Sequence, residues 1–102
     1  MSQTTTRKNE SAHRYELLVD GAVAGFAEYN VLSNGVLFSH TEMLPAHEGQ
    51  GLSSVLIRAA LDDVRAMGTF AVPVCQVVAG FLRKHPEYQD LVRPEVRKGF
   101  RI

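Results

Sequence analysis

The chain has 102 residues and a mass of 11.3 kDa, enough for one core of ordinary size and no second one. With 45% hydrophobic residues, 22% charged residues and a mean hydropathy of −0.08, it reads as globular and not as a disordered chain, and no apolar run nears the ~20 residues of a bilayer span. A single cysteine excludes an internal disulfide and a cysteine-rich zinc site, and zero formal charge argues against a strongly basic nucleic-acid binder.

Residues 1–12 are polar and unpatterned and are expected to be a disordered tail, leaving 13–102 as a single minimal domain. From Arg14 the chain alternates as a strand, with Tyr15, Leu17 and Val19 against Arg14, Glu16 and Leu18. Asp20-Gly21 then signals a two-residue hairpin turn, because a turn of the favoured hand needs positive φ. Val23 to Val31 forms a second strand, with Val23, Ala27, Tyr29 and Val31 on one face and Phe26 and Glu28 on the other. Ser33-Asn34-Gly35 signals a second hairpin of the same kind. Val36 to Met43 is a third strand, with Val36, Phe38, His40 and Glu42 on one face and Leu37, Ser39, Thr41 and Met43 on the other.

The period then changes. Leu44 to Gly51 is a loop rich in breakers. Leu52, Val55, Leu56, Ala59, Ala60, Val64 and Met67 recur at helical spacing, Arg65 sits in the last turn, and Gly68 closes the helix. Thr69 to Val74 is a short apolar strand whose Pro73 belongs at an edge, a bulge or the strand's end. A second helix runs from Cys75 or Gln76 to Lys84, with Val78, Phe81 and Leu82 as its apolar face, and His85-Pro86 ends it. The basic remainder is anchored by Leu91 and Val92. The order β-β-β-α-β-α predicts an α/β domain with a mixed sheet: three antiparallel strands, then α-β-α, the last strand pairing in parallel.

Charge is unevenly spread. Residues 1–14 carry a net +2, residues 15–64 a net −6 and residues 65–102 a net +4, a pattern that suits an anionic cofactor beside a cationic substrate, or a solvated mixture. The N-terminus lacks the apolar segment of a secretory signal, which with the lone cysteine suggests a cytoplasmic protein.

The sharpest chemical feature is Glu48-Gly49-Gln50-Gly51-Leu52-Ser53, placed between a strand and an amphipathic helix. Glycines there let a ligand approach the backbone, and the first helical turn offers unpaired N–H donors and a partial positive charge, together a phosphate or pyrophosphate site. It is neither a Walker A loop nor a Rossmann fingerprint. His40, His47, Glu42 and Cys75 have no recognised metal spacing, and no hydrolase triad is apparent around Ser53 and Ser54.

Four motifs in order carry a family resemblance: Ser39-His40-Thr41-Glu42-Met43-Leu44-Pro45, Glu48-Gly49-Gln50-Gly51-Leu52, Val72-Pro73-Val74-Cys75 and Arg83-Lys84-His85-Pro86-Glu87-Tyr88. Across about residues 14–92 the chain resembles the GNAT superfamily of acyl-CoA-dependent N-acetyltransferases, and more narrowly its small single-domain YjdJ-type branch. The resemblance implies acetyl-CoA as cofactor and an amine as acceptor; from charge and hydropathy no nucleic acid or membrane partner is expected, and the chain is expected to be a monomer or weak homodimer. The family's pyrophosphate loop, Gln/Arg-x-x-Gly-x-Gly/Ala, falls on Glu48 to Ser53: Gly51 matches, Glu48 and Ser53 depart, and Glu48 is expected to point outward. Gly49, Gln50, Gly51, Leu52 and Ser53 would hold the pyrophosphate by backbone N–H groups, and Glu42, Met43 and Leu44 would hold the pantetheine arm by sheet-like hydrogen bonds. Arg83 and Lys84 are candidates for the CoA phosphates.

Two residues are candidates for the chemistry. Cys75 at the second helix's N-terminus is an acyl relay or part of the pocket wall. His40 is a general base for the amine or a core histidine. The competing class is an acyl-CoA-binding module without turnover.

Overall fold

The computed structural model describes residues 3–102. Its five strands lie in sequence order, β1 (Thr4–Asn9), β2 (Arg14–Val19), β3 (Ala22–Leu32), β4 (Gly35–Met43) and β5 (Ala71–Pro73). The first four pair antiparallel, and β5 joins β4 in parallel through Val36↔Ala71 and Phe38↔Pro73. The helix α1 (Leu52–Ala66) links β4 to β5, and α2 (Gln76–Lys84) follows β5. Beyond α2 come a 3₁₀ turn (Pro86–Leu91), the short α3 (Pro94–Arg97) and a last 3₁₀ turn (Lys98–Phe100). This is the mixed α/β sheet that the alternation predicts, and no described helix is long and apolar enough to cross a membrane.

The strand β1 corrects one expectation. Thr4–Asn9 is no disordered tail but an edge strand paired with β2 over six residues. Met1 and Ser2 of that predicted tail lie outside the described residues. Alternation could not reveal β1, because it has no apolar side chain to alternate; its partners are charged groups on β2 and α1.

The first hairpin forms as read: Asp20 and Gly21 have φ of 52° and 84°. The second differs. Leu32 pairs with Gly35, so Ser33 and Asn34 make the turn, and neither has positive φ. Gly35 is needed for another reason, since a Cβ there would lie 2.9 Å from the Phe70 carbonyl oxygen, which accepts the Val36 N–H.

The core lies between the sheet and the two longer helices. Tyr15, Leu17, Ala27, Tyr29, Val36 and Phe38 from the strands meet Leu56, Ile57, Leu61 and Val64 of α1 and Val78, Phe81 and Leu82 of α2. Tyr88, Leu91 and Val92 close it from the C-terminal segment. The buried stripe of α1 is rotated from the predicted one: Ile57 and Leu61 are inside, Val55 and Met67 outside. Gly68 (φ 71°) ends α1 as predicted, its N–H reaching the Arg65 carbonyl while the Thr69 N–H reaches Val64.

Two β-bulges re-aim the sheet. Between Leu17↔Gly25 and Leu18↔Val23, β3 carries the extra residue Ala24. Between Glu28↔His40 and Tyr29↔Phe38, β4 carries the extra residue Ser39. The second bulge decides the geometry of the candidate site.

Candidate active site

Before the bulge Phe38 faces the core and is fully buried; after it Thr41 and Met43 take the inward positions, and His40 and Glu42 are exposed. His40 therefore shares a face with Glu42 and not with Phe38, because the extra residue at Ser39 reverses the alternation. His40 Nε2 lies 3.4 Å from Glu42 Oε1, and its ring lies 6.2 Å from that of Phe26. Opposite them on β3, Glu28 pairs with His40 and Phe26 with Glu42.

The bulge also reverses the backbone. On its N-terminal side the groups that face β5 belong to even positions: the Val36 N–H bonds Phe70 O and the Phe38 carbonyl accepts the Cys75 N–H, both at 2.8 Å. On its C-terminal side the Leu44 N–H bonds Ala24 O on the β3 side, again at 2.8 Å. By alternation the N–H and C=O groups of Thr41 and Met43 then face the side where β5 would continue. There β5 has already left: its pairing ends at Phe38↔Pro73, and the chain turns into α2. Thus β4 and the β5–α2 segment diverge like a V whose open arm is lined by unpaired backbone of Thr41 and Met43. Of the predicted set Glu42, Met43 and Leu44, the Met43 backbone faces this opening, whereas the Leu44 N–H is already bonded.

Cys75 stands at the closed end of the V as the residue capping α2. Its thiol is buried and donates to Thr41 Oγ1 at 3.3 Å. Val74 and Val77 beside it are exposed. Thr41 is the partner that sequence reading missed, since only the bulge turns it toward Cys75. Gly25 lets the strands close here: a Cβ on it would lie 2.3 Å from Met43 Sδ and 2.9 Å from the Glu42 carbonyl oxygen.

At the open end β4 passes through a 3₁₀ turn (Pro45–His47) into the glycine loop. Gly49 and Gly51 have φ of 76° and 73°, and a Cβ on either would project into open space. Gly51 caps α1 without any side-chain hydrogen bond to the first-turn N–H groups. Those groups stand free beside bare glycine backbone, which is what a phosphate-bearing ligand requires. Glu48 is exposed, in line with an outward carboxylate, and Gln50 reaches back to the Ala46 carbonyl at 3.4 Å. Leu52 packs against the core and fixes the helix start, with Ser53 next in the first turn.

The two predicted cations behave differently. Arg83 directs two N–H groups at the Phe100 carbonyl, 3.3 and 3.1 Å away, and so braces the C-terminal turn. Lys84 is exposed at the last turn of α2. Arg58 on α1 meets Phe81 and Tyr88, its guanidinium 5.5 and 5.3 Å from their ring centres, and ties α1 to α2 and the following turn. Among the described residues no group of three or more His, Cys, Asp or Glu side chains is placed to hold a metal.

The structure thus combines a bulged β4 whose pairing with β5 stops at Phe38↔Pro73 and a bare glycine loop that starts the next helix. The chain belongs to the GCN5-related N-acetyl-transferase family, whose pattern it matches over residues 14–91. No curated protein matches the chain.

Proposed function

We propose that the protein transfers an acetyl group from acetyl-CoA to an amine. The observation that carries this reading is the V between β4 and α2, which joins the glycine loop at one end to Cys75 and Thr41 at the other. Its features fit the cofactor. The uncapped first turn of α1 beside Gly49 and Gly51 suits a pyrophosphate, and the unpaired backbone of Thr41 and Met43 suits the amides of a pantetheine arm. When bound, acetyl-CoA supplies the activated thioester carbonyl.

The protein's own residues then have distinct tasks. Backbone N–H groups from Gly49 to Ser53 hold negative charge, with Lys84 as a further cation. Cys75, Val74 and Val77 wall the closed end, with Thr41 holding the thiol in place. The acceptor must be a neutral amine to attack. His40 takes its proton, and Glu42 at 3.4 Å steadies the imidazolium that forms. The acidic groups Glu28 and Glu42 beside His40 favour a cationic acceptor over an anionic one.

The test is CoA release from acetyl-CoA across a panel of amines, with CoA affinity measured separately by calorimetry. Acceptor-dependent release supports the transferase. Tight CoA binding with no acceptor-dependent release would establish a binding module instead, and no CoA binding would overturn both.

A further inference from the structure

The edge strand β1 is held differently from every other strand. It has no member in the hydrophobic core, and four of its six residues are exposed. Its side-chain anchors are polar: Arg7 Nε to Glu16 Oε1 at 2.6 Å, Asn9 Nδ2 to Glu16 Oε2 at 3.2 Å, and Lys8 Nζ to Asp63 Oδ2 at 3.0 Å. At its start the Gln3 N–H bonds Asp20 Oδ1 at 2.7 Å. Open surface grooves of about 280 and 190 Å³ run between it and α1, both lined by Thr6 and Ala59.

We propose that β1 is a strap, latched by charge, that opens as a unit while β2 to β5 and the helices stay folded. Three features make this opening easy. Lifting β1 takes no apolar side chain of its own out of the core and uncovers only the flanks of Tyr15 and Leu17 beside Lys8 and Thr6. It strands no buried charge, because Arg14, which travels with β2, stays 2.6 Å from Glu16, and Tyr15 stays 2.7 Å from Asp63. Finally, the Arg7 and Lys8 pairs are partly exposed and therefore open to screening by salt. What opening bares is the outer edge of β2, Arg14–Val19, a row of unpaired backbone groups on which another strand can add. The inference is independent of the transferase reading, since β1 contributes nothing to the V or the glycine loop.

Hydrogen exchange of the whole protein tests it, read by mass at about 0.05 and 0.5 M NaCl for wild type and for the double variant Arg7→Gln/Lys8→Gln. Both substitutions are on the strap, and Arg14 still pairs with Glu16 in the variant. In the wild type the amides of 4–9 should exchange at least tenfold faster than those of β3 and β4, and several-fold faster again at the higher salt. In the double variant they should be faster still and indifferent to salt, while β3 and β4 keep their protection. Exchange of β1 at the rate of β3 and β4 under all conditions would overturn the strap. Fast exchange of β1 that ignores both salt and the double substitution would overturn the charge latch.

Discussion

Gly51 and Gly21 offer a matched pair for testing the glycine loop. Both have positive φ, 73° and 84°, and at neither would a Cβ touch another atom within 4 Å. Replacing either by alanine therefore introduces the same backbone strain, roughly 1–2 kcal/mol for an L-residue held in the left-handed region. For a domain of this size that is a fall in Tm of about 4–8 °C per kcal/mol. The consequences for ligand binding should differ. Gly21 lies in the β2–β3 turn, whereas Gly51 caps α1 beside the first-turn N–H groups, where an added Cβ would crowd a bound ligand and not the protein. A hydrogen bond to a charged group contributes about 1.5–3 kcal/mol, so losing one weakens CoA binding by roughly ten- to a hundredfold. Thermal unfolding and CoA calorimetry on both variants make the comparison. We expect similar losses of Tm, with CoA affinity falling only for Gly51→Ala. Wild-type CoA affinity in a folded Gly51→Ala protein, or an equal loss in Gly21→Ala, would refute the reasoning.

Three further outcomes are expected. Cys75→Ala should lower transfer only several-fold if the buried thiol is a wall of the proposed site; a stoichiometric acetyl group trapped on Cys75 after mixing with acetyl-CoA alone, seen by intact mass, would show a relay instead. His40→Ala should cost on the order of 10²–10⁴ in rate, and an unchanged rate with normal CoA binding would demote His40 to a surface residue. Stability should fall in acid: burial pushes Glu16 up, but hydrogen bonds from Arg7, Arg14 and Asn9 outweigh it and hold the carboxyl below its ordinary value. A lowered folded pKa adds stability above the unfolded value, near pH ~4.3, that is lost as pH falls through the folded one. Urea unfolding should therefore give Glu16→Gln a lower stability at pH 7 and a flatter decline below pH ~4 than wild type, and parallel curves would contradict the assignment.

What the sequence made legible was local. Asp20-Gly21 announces its turn because the required φ belongs to those two residues alone. The helix α1 announces itself by period and by Gly68, whose conformation closes it. The parallel pairing of β5 follows from the crossover through α1. Where a distant group decides, the sequence misleads. Gly35 looks like a turn glycine, yet what demands it is the carbonyl of Phe70, just ahead of β5 and thirty-odd positions away. The strand β1 looks like a solvated tail because its partners, Glu16 and Asp63, lie on other elements.

The candidate site divides along the same line. The glycine loop was readable, because positive φ and a bare helix start are properties of Gly49, Gly51 and their neighbours. The V was not, because it depends on Ser39. An extra residue leaves composition and apparent alternation intact, so Phe38 and His40 look like neighbours on one face until pairing with β3 shows two residues of β4 against one. That single residue turns His40 and Glu42 outward, sends Thr41 inward to Cys75, and swaps which backbone groups face the departing β5. The proposed site is composed largely of main-chain groups and so would need few obligatory side chains beyond correctly placed glycines and one bulge. It follows that substitutions near the V should matter according to whether they alter the backbone path. Removing the bulge by deleting Ser39 should damage CoA binding more than replacing the exposed Glu42 does.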